Sequence, residues 1–163
     1  MIQDLLKKLR AKLKFGSTED GRPKAVDPSA ALRTNYRDLL QLAKQIESHA
    51  ERAPYPHMAE ILRQIAREKK ASANALKEKI PALEETEVPH LAIRAGKNHW
   101  ERMVQDLEDQ KAFEENFLQL AGLMAEERPE ISRLLREIVS TQAPHKEKFL
   151  DLIARADPQA HLY

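Results

Sequence analysis

The sequence predicts an all-α fold, and three observations lead there. Leu, Ala, Glu, Lys and Arg are abundant while the 163 residues hold four Gly, no Cys and only 5% aromatics, a composition suited to helices. Apolar residues recur at steps of three and four in five segments, the period of a helix with one buried face. Four of these segments are long and fall into two pairs, each joined by a short proline-containing turn, with a longer connector between the pairs. The architecture expected is a four-helix bundle of two antiparallel hairpins joined by a crossover, preceded by an extra N-terminal amphipathic helix.

The first segment, residues 1–15, places Ile2, Leu5, Leu6, Leu9 and Leu13 on one face and Lys7, Lys8, Arg10, Lys12 and Lys14 around the rest. Gly16 stops it, and residues 16–27 carry two Gly, one Pro and no period, the pattern of a flexible linker. The bundle proper is expected over residues 28–156, with 157–163 as a C-terminal tail. Its first helix opens at Asp27-Pro28, an N-cap followed by proline at the first helical position, and carries the stripe Leu32, Tyr36, Leu39, Ala43, Ile46, Ala50. Pro54-Tyr55-Pro56 turns the chain back into a helix bearing Met58, Ile61, Leu62, Ile65, Ala66, Ala73, Leu76 and Ile80, which Pro81 ends.

Residues 81–97 form the connector. Asn98 and Glu101 then have the spacing of a capping box and start a helix with Trp100, Met103, Val104, Leu107, Phe113, Phe117, Leu120 and Met124. Arg128-Pro129 turns into the last helix, with Ile131, Leu134, Leu135, Ile138, Phe149, Leu152 and Ile153; Pro144 inside that pattern is expected to kink it or break a backbone bond. Helices of this length run roughly 36–42 Å. Seventeen extended residues reach roughly 55 Å, so the connector is long enough to cross the bundle from end to end.

Function classes narrow by composition. Charged residues are 33% of the chain but the formal net charge is +1, so the body lacks the basic excess of a nucleic-acid binder. Without Cys there are no disulfides, thiolate metal sites or cysteine nucleophiles. No apolar run reaches the ~20 residues of a membrane span, and a cytoplasmic location is expected. No Gly-rich phosphate loop and no His-Glu-x-x-His zinc motif occur. His49, His57, His90, His99 and His161 fall near helix ends or on polar faces, where surface or capping roles are expected.

The two hairpins also match one another. Glu60-Ile61-Leu62-Arg63-Gln64-Ile65 aligns with Arg133-Leu134-Leu135-Arg136-Glu137-Ile138, and in that register Leu76 falls on Phe149. The segment Ile65 to Leu76, with Ala66, Ala73 and Leu76, resembles the second helix of the rubrerythrin branch of the ferritin-like superfamily, over roughly residues 30–155. The resemblance implies a bundle in which the second and fourth helices each supply Glu-x-x-His and the first and third each supply a Glu, converging on two irons.

At those positions this chain departs from the pattern. Aligned on the family stretch, the first motif reads Glu68-Lys69-Lys70-Ala71; aligned by the internal repeat, it reads Lys69 and Ser72. The second reads Gln142 and His145. The single carboxylates fall near Asp38 or Leu39 and near Asp109. Hard, multiply charged metal needs several anionic oxygens, and Lys69 brings a positive charge, so no bound metal and no cofactor are expected; iron is the alternative. The repeat register sets Gln142 and His145 opposite Lys69 and Ser72, as a hydrogen-bonded core layer or a remnant that still takes one metal. Asp109, Gln110, Glu114 and Glu68 are expected to flank the core in solvent, and Tyr36 to be a core tyrosine.

The function expected is that of a non-enzymatic bundle acting in protein interaction or as a scaffold, with a homo-oligomer or protein partner. The alternative is a divergent di-iron or mono-metal oxidoreductase built on Asp38, Glu68, Asp109, Gln142 and His145. The basic N-terminal helix suits docking on a bundle, with weak membrane-surface contact through Leu5, Lys8, Leu9 and Lys12 as a further reading.

Overall fold

The computed structural model describes residues 27–87 and 93–157. The N-terminal amphipathic helix, the linker before Asp27, and the tail beyond Asp157, with His90 and His161, lie outside the described residues. Among the described residues there are five α-helices: α1 (Pro28–Glu51), α2 (Pro56–Lys79), α3 (His99–Met124), α4 (Pro129–Gln142) and α5 (Pro144–Arg155). Strands are absent among the described residues, and none of these helices is long and apolar enough to cross a membrane.

Local chemistry sets the helix starts. The Asp27 carboxylate accepts from the Ser29 N–H at 3.0 Å, and Pro28 occupies the first turn, where its missing N–H costs nothing. At α3 the Asn98 side chain accepts from the Glu101 N–H at 2.8 Å, and Glu101 returns to the Lys97 N–H, one residue short of the reciprocal capping box. Between them, Pro81–Glu85 forms a short 3-10 helix that buries Leu83 against the bundle, so this part of the connector is not extended chain.

Packing joins α1 to α2 and α3, and α3 in turn to α4 and α5. Side-chain contacts give the directions. Asn35 donates to the Asn116 carbonyl at 3.3 Å and Gln45 to Asp106 at 2.9 Å, so α1 and α3 run antiparallel. Gln142 donates to Ser72 and His145 meets Glu68, so α2 runs antiparallel to α4 and α5. The Ser132 hydroxyl donates to the Ala121 carbonyl at 2.6 Å, tying α4 to α3.

One core runs between the helices. Leu39, Ile46, Leu62, Ile65, Leu76, Met103, Phe117, Leu120, Ile131, Leu135 and Phe149 are fully enclosed. Each contributes about 1.5–3 kcal/mol by leaving water. Phe113 and Phe117 pack with centroids 4.3 Å apart and planes tilted by 51°, and Tyr36 is a core residue.

Pro144 divides the last rod without bending its backbone far, since Ala143 keeps helical angles (φ −53°, ψ −37°). Pro144 has no N–H to give the preceding turn. The Lys146 N–H bonds to Ala143 rather than Gln142, and the Gln142 carbonyl accepts instead from the Gln110 side chain at 3.5 Å. The break thus delivers a backbone acceptor to the interior and keeps Gln142 and His145 on the inner face.

Candidate functional site

The interior holds two polar layers where a bundle would ordinarily be apolar. The first surrounds Lys69, whose side chain is 0% exposed. Its Nζ donates to Gln110 Oε1 and, at 2.8 Å, to Gln142 Oε1, and lies 3.3 Å from His145 Nδ1. Three acceptors match the three protons of an ammonium group. The charge also sits 5.0 Å from the centroid of the Phe113 ring, whose face attracts a cation. Around this centre Gln142 Nε2 donates to Ser72 Oγ at 2.8 Å, and Gln110 Nε2 donates to Glu114 Oε1 at 3.2 Å.

The layer reaches solvent at two places. His145 Nε2 lies 2.5 Å from Glu68 Oε2, and Glu68 is about one-third exposed (35%). Glu114 meets Lys146 at 2.6 Å near the surface. Electrostatics follows from this placement. Burial pushes the Lys69 amine down to about 7, while Glu114, Asp106 and Glu68 pull it back up. Burial and the neighbouring Lys69 charge lower His145, with Glu68 opposing. For Glu68 itself burial acts upward, but hydrogen bonds from His145 and Gln64 and the charges of His145 and Lys148 outweigh it, leaving the carboxyl below its ordinary range.

The second layer lies nearer the α1–α2 turn. His49 Nδ1 is 2.8 Å from Asp106 Oδ2, and His49 Nε2 is 2.6 Å from the Arg94 carbonyl. A carbonyl can only accept, so Nε2 carries a proton, and one further proton lies between Nδ1 and the carboxylate. Gln45 Nε2 bridges Asp106 Oδ1 (2.9 Å) and Asp109 Oδ2 (2.8 Å), and Arg94 closes onto Asp109 at 3.2 Å. Burial raises the Asp106 carboxyl, against the hydrogen bonds from His49 and Gln45. This layer fastens the end of the connector to the bundle interior.

The expected site residues therefore separate. Lys69, Ser72, Gln142 and His145 meet in one layer, in the register of the internal repeat, while Glu68 joins from its edge and Ala71 points outward. Asp38 does not join them: it stands half-exposed (52%) on the rim of a cleft of about 230 Å³ between α1 and α3, and Leu39 takes the core position beside it. Asp109 belongs to the second layer.

Several residues expected in solvent are buried. Gln110 and Glu114 are enclosed because α3 buries one continuous line through His99, Arg102, Met103, Asp106, Gln110, Phe113 and Phe117, polar members included. His49 and His99, expected at the surface near helix ends, are 1% and 3% exposed because connector residues and the α1–α2 turn cover that end. Sequence reasoning missed Gln45, Arg102 and Asp106 altogether and took His49 for a surface residue. Their signal was spacing alone: each falls on the apolar stripe of its helix, where a polar residue reads as an interruption.

These residues do not fit a pair of irons. The centre offers two carboxamides, one imidazole and a cationic side chain, with the Glu68 and Glu114 carboxylates only at its edges, each already held by a neighbour, whereas a hard metal wants several anionic oxygens at the centre. Among the described residues no three His, Asp or Glu side chains gather as a metal would require. Comparison with known proteins adds no relative: no protein-family model, no curated protein and no solved structure matches the chain.

Proposed function

We propose that the chain is a non-catalytic, ferritin-like bundle that acts through its surface in protein interaction or as a scaffold, with its own Lys69 ammonium standing where a related bundle would hold metal. The observation that carries this reading is the Lys69 amine enclosed by Gln110, Gln142 and His145. The Lys69 side chain fills the centre among neutral acceptors, repels a second cation whenever it is protonated, and leaves no anionic ligand set there for a metal. The helix directions support the ferritin-like part. With α1 antiparallel to both α2 and α3, the last two run the same way, a direction that supports a crossover between the hairpins. Facing of Lys69 and Ser72 by Gln142 and His145 supports the duplicated-hairpin register. Exposed Leu118, Leu123 and Leu150 are apolar surface available to self-association or a partner.

Elemental analysis of the purified protein, repeated after anaerobic incubation with ferrous iron, tests the reading. No stoichiometric metal is the expected result. Two irons per chain, lost in His145→Ala, would overturn it in favour of a di-iron oxidoreductase with unusual ligands.

A further inference from the structure

The end of the bundle carries a second feature, unrelated to the Lys69 layer. A cavity of about 100 Å³ lies between the α1–α2 turn (Pro54, Tyr55), Met58 of α2, His99 at the first residue of α3, and the chain leaving α5 at Arg155 and Asp157. His99 lines it and is 3% exposed, yet neither of its ring nitrogens has a hydrogen-bond partner among the described residues. Buried polar groups are nearly always paired, and leaving one unpaired is costly. A phenyl ring would fill the same space without that cost, so the imidazole calls for a partner in the cavity.

The surroundings select the partner's chemistry. Burial, with the charges of Arg102 and His49, pushes His99 down to about 4, so near neutral pH the ring is uncharged and offers one N–H and one lone pair. Arg155 brings its guanidinium to the mouth with Nε paired to Asp151 at 3.2 Å, and Arg102 adds positive potential behind the imidazole. Pro54 and Met58 form an apolar wall, and the Asp157 carboxylate at the rim disfavours a doubly charged anion. We infer that this cavity is a binding site for a short-chain monocarboxylate, whose carboxylate lies between His99 and Arg155 and whose alkyl body rests on Pro54 and Met58.

The test uses the full chain, isotopically labelled for histidine-ring NMR, titrated with acetate, propanoate and inorganic phosphate. Expected are saturable shifts of the His99 ring nitrogens with acetate and propanoate, the latter tighter, and affinity for phosphate at least about tenfold weaker. His99→Phe is expected to fold, to unfold at a higher temperature than the parent, and to lose binding. Arg155→Gln keeps the cavity and is expected to weaken propanoate about tenfold. Absence of any saturable shift would mean that the cavity holds water only and would overturn the inference. So would equal affinity for phosphate, or undiminished binding in either variant.

Discussion

Titrating Lys69 gives the most quantitative handle on the interior. Its amine falls from 10.5 in the unfolded chain to about 7 in the bundle, mainly through burial. Between these two values the unfolded chain holds a proton that the folded chain has released, so stability rises with pH across that window. The cost of the buried ammonium is complete below about 7 and vanishes above 10.5. A shift of this size corresponds to about 4–5 kcal/mol, or a slope near 1.4 kcal/mol per pH unit in mid-window.

Lys69→Met removes the titration but strands acceptors on Gln110, Gln142 and His145, each costing about 1–3 kcal/mol. The net difference at any one pH is therefore a small remainder of opposing terms. The slope is free of this problem, because the stranded acceptors do not titrate above neutrality. Urea unfolding of both proteins, followed by circular dichroism at several values between about pH 7.5 and 9.5, measures it. The parent is expected to gain about 2–3 kcal/mol on the variant over that interval. A gap constant to within about 0.5 kcal/mol would refute the reasoning: Lys69 would then keep its proton throughout, its three hydrogen bonds offsetting its burial.

Substitutions at Asp106 and Gly96 probe the second layer and the connector, with Gly122 as a comparison. Asp106→Ala removes the carboxylate that His49 and Gln45 share, leaving a buried imidazole nitrogen unpaired; chemical unfolding is expected to show a loss of about 2–4 kcal/mol, with Asp106→Asn losing less. Gly96 has a φ of +62°, and an added Cβ would stand 2.7 Å from Arg102 Cγ. Gly96→Ala is thus expected to cost about 1–3 kcal/mol, whereas Gly122→Ala, on an open helical face, should gain about 0.5–1 kcal/mol, so equal effects at the two glycines would contradict this account.

The helices were legible because their signals are local. Asp27-Pro28, Pro56, Pro129 and Asn98 mark starts that depend on a few adjacent residues, and the stripes of Leu, Ile and Phe mark the inner faces. The pairing of Lys69 and Ser72 with Gln142 and His145 was legible for another reason: the repeat relates positions 73 apart, as Leu76 and Phe149 show. The second layer was not legible. Whether Asp106 or Asp109 faces inward depends on small rotations of α3, and whether His49 is covered depends on Arg94, 45 residues away. Polar residues on an apolar stripe are read as solvated unless a partner is known, and that partner is a tertiary fact. Asp38 shows the opposite error, since a carboxylate beside a core leucine can turn outward at little cost.

The polar layers also act as a key. Leucine and isoleucine side chains accept almost any apolar neighbour, so a bundle built of them alone tolerates one helix sliding past another by a turn, about 5.4 Å. Here the same slide would carry the Lys69 charge among aliphatic side chains and leave Gln110, Gln142 and Asp106 facing hydrocarbon. Alternative alignments of the two hairpins are thereby penalised far more than the native one is rewarded. What Lys69 gives up in stability, it returns as a single permitted alignment.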